Sequence, residues 1–312
     1  MAQLSSVDNV RNRIEQALSK HLDSSVDTIL KAGNSIIEAG GKRIRPLLLV
    51  YLVESLGGDV EKAITLGCGI EYIHIASLLH DDVVDKADSR RGRPSVNKVF
   101  GAEVAVLTGD YLYAKALFLY ANYGNQKMID ILSKAVMRMA EGQLLELKSI
   151  GSIIDENTYF DIIDGKTAYL IGACFGVGAL ISERTDYEKF FNIGLKLGRA
   201  FQLIDDALDY EMDSQKLGKP SRSDLKEGKV TYPVISVIDK IDRGLLQKIL
   251  LSQNPSQEEL DSVINMVIEK GGVNYTKDLA FRLLEEVKQE LSSYKVTDKL
   301  MELIEKTVKR DF

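Results

Sequence analysis

The sequence predicts an all-α protein, and three observations carry that reading. Apolar residues recur at i, i+3, i+4 and i+7 over long stretches, the period of a helix buried along one face. Only five prolines (Pro46, Pro94, Pro220, Pro233 and Pro255) interrupt 312 residues. No segment sustains the period-two alternation of a half-buried strand. With 45% hydrophobic and 28% charged residues, the chain has the material for a large core. No linker or low-complexity tract divides it. Residues 1–312 therefore read as a single all-α domain, a helical bundle of roughly ten or more helices at ordinary helix lengths.

Taken in order, the N-terminal "MAQLSSVDNVRNRIEQALSK" is polar and lacks the apolar centre of a secretory signal. Glycine-bearing breaks at Gly40–Gly41, Gly57–Gly58, Gly124, Gly151 and Gly271–Gly272 mark turns between helices. "VLTGDYLYAKALFLYA" is amphipathic to apolar and suits both core and dimer interface, with Asp110 as a polar packing contact. The longest uninterrupted apolar run, Tyr169–Ile181, has 13 residues. That is fewer than the ~20 a bilayer requires. Its Gly172, Gly176 and Gly178 suit close helix approach. Leu195, Gly198, Phe201, Gln202, Asp205 and Asp209 form one helical stripe, apolar at one end and acidic at the other. The longest polar connection, Ser214–Lys229, reads as a functional loop. Val230–Ile238 is the one strand-like run, and Pro233 inside it reduces it to a helix start or an edge segment. The basic "KTVKRDF" terminus reads as a solvated tail.

Net charge is −6 and the basic residues are dispersed, which argues against nucleic acid as a partner. Cys68 and Cys174 lie far apart in apolar surroundings, with no Cys-x-x-Cys or Cys/His spacing. They read as buried free thiols in a reducing compartment, so the expected location is the cytoplasm and not a membrane.

Two short stretches echo one another. "LLHDDVVD" (Leu78–Asp85) and "FQLIDDALD" (Phe201–Asp209) both run from an apolar helix into Asp-Asp-x-x-Asp. Asp81 and Asp85 share a helix face, with Asp82 beside them; Asp205, Asp206 and Asp209 repeat that geometry. Like charges at i, i+4 destabilise a helix by about 0.2–0.5 kcal/mol per pair, and a bound cation removes that cost. Carboxylates without a Cys or a set of His ligands indicate a hard ion. Mg²⁺ suits them, because it takes one or two carboxylates and completes its shell with water and phosphate. A single such motif is also what a solvated acidic helix end looks like; the second copy weighs against that.

Basic residues supply the counterpart. Arg90 and Arg91 follow the first cluster, with Asp88 as their structural partner. "GGKRIRP" offers Lys42, Arg43 and Arg45; "DGKTAYL" offers Lys166 and Thr167; the polar loop offers Lys219 and Lys229. Carboxylates that hold Mg²⁺ among Arg and Lys form a site for phosphate esters. "GKT" at 165–167 is not a Walker loop, because that motif needs glycine at Phe160.

These motifs, in this order, resemble the trans-prenyltransferases, the all-E isoprenyl diphosphate synthases. The resemblance runs through "GGKRIRP", "HIASLLHDDVVDKADSRRGRPSVN", "VLTGDYL", "KTA", "FQLIDDALD" and "GKPSRSDLKEGK", and covers nearly the whole chain. It implies an all-helical bundle around a deep central cavity, usually as a homodimer. It implies that Lys42, Arg45, His74 and Arg91 hold the diphosphate of isopentenyl diphosphate. Asp81, Asp85 and Asp205 would bind Mg²⁺, with Asp82, Asp206 and Asp209 in support. Arg90, Lys166, Lys219 and Lys229 would contact the allylic diphosphate, with Thr167 and Gln202 near the reacting carbon. One departure stands in the loop, where Arg222 occupies a position that is glycine in the family pattern.

The expected reaction joins isopentenyl diphosphate to an allylic diphosphate, farnesyl or geranylgeranyl diphosphate. Ala76 and Ser77 lie one turn before Asp81, about 6–7.5 Å deeper along the helix. The resemblance makes small residues there a sign of a long product, heptaprenyl to decaprenyl, with octaprenyl favoured. The alternatives are a shorter-chain geranylgeranyl or farnesyl diphosphate synthase, one subunit of a heteromeric synthase, and a terpene cyclase. The intact acidic motifs weigh against a non-catalytic subunit. The intact "GGKRIRP" weighs against a cyclase.

Overall fold

The computed structural model describes residues 6–211, 223–252 and 254–309. Helices account for nearly all regular structure among them, as the periodicity predicts. Lys219 and Arg222 lie outside the described residues. The contacts fall into two compact units. One comprises Met1–Lys134, Ala173–Phe191 and Val296–Leu300; the other comprises Ala135–Gly172, Asn192–Lys295 and Met301–Phe312.

The first unit is built on α1 (Ser6–His21), α2 (Asp27–Glu38), α3 (Ile44–Leu56), α4 (Val60–Val84), α5 (Val96–Phe100) and α6 (Ala102–Tyr123). The Asp59 carboxylate caps α4 by accepting from the Lys62 N–H at 3.0 Å. Between Ala63 and Leu79, α4 is buried nearly all round, so it is a central helix rather than an amphipathic one. α1, α3 and α6 pack against it. By length and hydropathy α4 could cross a bilayer, but 72% of its most apolar window is buried inside the protein. Every residue of α3 from Leu47 to Val53 is also buried, and Gly57 ends that helix in the left-handed region at φ 74°.

Ahead of α3, Arg43 (2% exposed) donates to Glu15, to Glu71 at 2.9 Å and to the Ile37 carbonyl at 2.7 Å. It ties α1, the end of α2 and α4 together, and its charge is spent on the fold. A two-residue hairpin, β1 (Ser89–Arg90) with β2 (Arg93–Pro94), follows α4. Its turn residues Arg91 and Gly92 both have positive φ, 52° and 73°, as a type I′ turn demands. Two residues per strand are too few to show in a period-two pattern.

The second unit contains α8 (Glu156–Ile163), a π-helical turn (Asp164–Ala168), α11 (Ser223–Lys226), α12 (Tyr232–Ile235), a 3₁₀ turn (Ile238–Lys240), α13 (Arg243–Leu251), α14 (Gln257–Glu269) and α15 (Gly272–Ser292). Helices α7 (Gln126–Ser149), α9 (Tyr169–Ile181), α10 (Tyr187–Glu211) and α16 (Asp298–Lys309) carry the chain from one unit to the other. The strand-like run Val230–Ile238 is a helix start: Pro233 sits in the first turn of α12, where its missing N–H costs nothing. Val234, Val237, Leu246, Ile249, Leu260 and Val263 are core residues of this unit.

Three backbones meet closely around the π turn. A Cβ on Gly165 would lie 2.5 Å from the Arg138 carbonyl, one on Gly142 2.9 Å from the Gly165 Cα, and one on Gly198 2.4 Å from the Ala168 Cα. This packing of α7, the π turn and α10 holds Lys166 and Thr167 in place. Gly165→Ala should cost about 1–3 kcal/mol through overpacking. A denaturant midpoint that does not fall would contradict this account of the turn. Gly176 and Gly178 show the close approach expected of them, with an added Cβ 3.3 Å from Ile131 and 3.0 Å from Leu52.

Candidate active site

The two acidic motifs have one local design. In each, the helical register sends the second aspartate inward and leaves the others toward the surface. Asp82 is 1% exposed, while Asp81 is half-buried and Asp85 exposed. Asp206 is 4% exposed, while Asp205 is exposed and Asp209 half-buried. Both motifs stand at the C-terminal end of a long helix, where the helix dipole disfavours negative charge and a cation is favoured.

The inward aspartates are held by partners. Arg90 Nε donates to both oxygens of Asp82, at 2.8 and 2.9 Å, and the Asn97 amide donates to the Asp82 carbonyl. The hairpin folds Arg90 back for this pairing. It also turns Asp88 elsewhere, because Asp88 pairs with Lys98 at 2.8 Å instead of with the arginines expected as its partners. In the second unit, the Tyr159 hydroxyl and the Gln202 amide donate to Asp206 at 2.6 and 2.8 Å, and Thr167 donates to the Gln202 side-chain oxygen at 2.8 Å. Burial, and then the charge of Asp224, push the Asp206 carboxyl well up despite these donors.

These residues fit a divalent cation. Burial and the charge of Asp209 push the Asp224 carboxyl up to about 7, an electrostatic crowding that a bound cation relieves. No three His, Cys, Asp or Glu side chains among the described residues are grouped so as to hold a metal ion by themselves. Such a donor set suits a hard ion that keeps water and takes phosphate oxygens.

The basic residues expected to bind isopentenyl diphosphate gather in the first unit. Burial, followed by the charges of Arg45, Arg91, Arg90 and Arg43, holds the His74 pKa well below its usual value. His74 is therefore neutral among arginines. Arg45 Nε is buried without a hydrogen-bond partner, an orphan donor whose charge acts on His74 and Arg91. The Arg91 guanidinium lies over Gly41, where a Cβ would sit 2.9 Å from its Nη1. Lys42 is exposed on the same Gly-Gly-Lys-Arg stretch.

The depressed His74 value has a linkage consequence. The unfolded chain binds a proton near pH 6.5 that the folded chain refuses, so His74 costs stability as pH falls below about 6.5. Wild type should lose more stability between pH 7.5 and 5.5 than His74→Gln does. Equal losses in urea melts at the two pH values would contradict this.

In the second unit, Lys166 and Lys229 meet at Glu146, a residue that no motif in the sequence marks. Glu146 Oε2 lies 2.5 Å from Lys166 Nζ and 3.7 Å from Lys229 Nζ. Burial alone would lower the Lys229 pKa, but Glu146 and Glu227 outweigh it and hold the ammonium above its usual range. One cavity is lined by Glu146, Lys166, Gln202, Asp206, Asp224 and Lys229. Asp224 also belongs to this site, and its backbone N–H donates to Asp209 at 3.3 Å. The signal for Asp224 was its place in the polar loop. Glu146 had none, being one acid among several on an ordinary amphipathic helix.

Comparison with known proteins gives the family of the chain. The model of the family Polyprenyl synthetase matches residues 26–267. The octaprenyl diphosphate synthase of Escherichia coli K12 is 35% identical over 272 residues, covering 86% of this chain and 84% of that protein. The geranylgeranyl diphosphate synthase of Methanosarcina mazei is 33% identical over 302 residues, 91% of each chain. A polyprenyl synthase from Caulobacter crescentus, solved with calcium and isoprenyl diphosphate, matches at a TM-score of 0.88 and 30% identity over 100% of both chains. The chain belongs to the polyprenyl synthetase family and is a prenyltransferase that makes prenyl diphosphates.

Proposed function

We propose that this enzyme is a Mg²⁺-dependent synthase of long-chain all-trans polyprenyl diphosphates, heptaprenyl to decaprenyl with octaprenyl favoured. The observation that carries the chain length is the pair one turn before Asp81. Ala76 is fully buried, and the Ser77 hydroxyl turns back to donate to the His74 carbonyl at 2.9 Å. Neither position projects bulk into the path of a growing tail. The similarity to a geranylgeranyl diphosphate synthase favours a second reading, in which a deeper residue stops the chain earlier.

Asp81, Asp85 and Asp205 are the proposed metal ligands, with Asp82, Asp206 and Asp209 orienting them. When bound, Mg²⁺ supplies charge neutralisation to the departing diphosphate. Arg90, Lys166, Lys229 and Lys219 hold the allylic diphosphate and stabilise the charge that grows on its bridging oxygen. Thr167 and Gln202, linked to each other and to Asp206, face the carbon that loses it. Lys42, Arg45, His74 and Arg91 orient isopentenyl diphosphate, so that its alkene attacks from a fixed position. The dry helical surroundings keep water from trapping the allylic cation. The released diphosphate takes the proton that leaves.

α6 supports a homodimer. One face is core, with Ala105, Thr108, Leu112, Ala116 and Leu119 buried. The other exposes Val106, Leu107, Leu117 and Phe118, a spacing that repeats after three helical turns. Two buried free thiols support a reducing, cytoplasmic location.

The test is product sizing after incubation of the purified chain with Mg²⁺, isopentenyl diphosphate and farnesyl diphosphate. The proposal expects extraction of a product of heptaprenyl length or longer. A product that stops at geranylgeranyl supports the second reading, and activity only after adding another subunit supports a heteromeric enzyme.

A further inference from the structure

The pocket around Lys166 and Lys229 contains a contradiction if it is only an anion site. Among the described residues, its two ammonium groups are the only cationic side chains lining the cavity, and both are already engaged by an acid. Glu146 is 17% exposed and reaches Lys166 at 2.5 Å, a charge-assisted contact screened little by solvent. Glu227 engages Lys229 at 2.8 Å from its exposed side. Glu146 also sits in the last turn of α7, where the helix dipole disfavours a carboxylate. The two lysines account for its placement there.

We infer that Glu146 is a built-in counter-ion of the allylic diphosphate pocket, which biases that pocket against diphosphate arriving without metal. This rests on the assignment of Lys166 and Lys229 to the allylic diphosphate. An ammonium has three donors, so each lysine can hold Glu146 and a phosphate oxygen together. The remaining cost is repulsion between Glu146 and the incoming anion. A divalent cation carried with the diphosphate offsets that repulsion; a bare diphosphate has nothing to offset it. Glu146 thereby acts as a positioning and specificity residue: it holds both lysines toward one point and sets the charge state of the anion they accept.

The experiment is calorimetric titration of the full chain with inorganic pyrophosphate, once in EDTA and once in Mg²⁺. Glu146→Gln keeps the shape and removes the charge. It should bind metal-free pyrophosphate about tenfold more tightly than wild type, the factor that ~1.4 kcal/mol represents. It should also narrow the gap between the metal-free and Mg²⁺ affinities. Glu146→Ala should shift in the same direction, and Glu146→Asp should return toward wild type. Simple structural damage loosens the lysines and weakens binding, so it cannot produce this gain. Unchanged or weaker metal-free binding in both Glu146→Gln and Glu146→Ala overturns the inference. Lys166→Met and Lys229→Met separate the two levels. If they weaken Mg²⁺–pyrophosphate binding while the Glu146 variants change nothing, the inference alone fails. If they leave that binding intact, the assignment of the lysines fails as well.

Discussion

Asp81→Ala should lower kcat by on the order of 10²–10³-fold, the range seen when one preorganised group is taken from a developing charge. Turnover should fall far more than stability does. Asp81 is half-buried at the end of α4, and its proposed role is to meet a cation. Removing it relieves a like-charge pair with Asp85 worth about 0.2–0.5 kcal/mol. Turnover and stability therefore move independently, which separates a metal ligand from a structural acid. Retained turnover at wild-type Mg²⁺ concentrations would refute the metal assignment.

Ala76→Tyr should shorten the product by several isoprene units, with Ser77→Phe giving the same direction. Both substitutions project an aromatic ring from α4 one turn before Asp81, about 6–7.5 Å along the axis from the first carboxylate. The two sites differ in what else they cost. Ala76 is fully buried, so a tyrosine there also overpacks the core, by about 1–3 kcal/mol. Ser77 is only half-buried, and its replacement should be milder for stability. Mass spectrometry of the dephosphorylated products checks this. A product distribution unchanged in both variants would mean that Ala76 and Ser77 do not bound the path of the tail, and chain length would then have to be set elsewhere.

Much of the fold was legible because its signals are local. The helical period, the scarcity of proline and the glycine breaks each act within a few residues, and Gly57, Gly151 and Gly271 do end or begin helices with positive φ. The repeated Asp-Asp-x-x-Asp was legible for the same reason, since helical geometry alone puts i and i+4 on one face. What was not legible depends on the chain folding back. The Arg90–Asp82 pair needs the Arg91–Gly92 turn, and Asp88 reaches Lys98 instead of an arginine because of it. Glu146 meets Lys166 from 20 residues away in the chain. No periodicity marks it. Arg43 shows the converse: in "GGKRIRP" it looks like one more phosphate ligand, and burial with Glu15 and Glu71 makes it structural. Spacing identifies which residue types a segment offers, and burial decides which of them remain for substrate.

The most direct measurement is incorporation of labelled isopentenyl diphosphate onto farnesyl diphosphate by the purified chain, followed across a Mg²⁺ titration that starts in EDTA. The predicted result is no product in EDTA, and chain extension well beyond geranylgeranyl as Mg²⁺ is added. Condensation that proceeds equally in EDTA, or none at saturating Mg²⁺ with both substrates present, would contradict it.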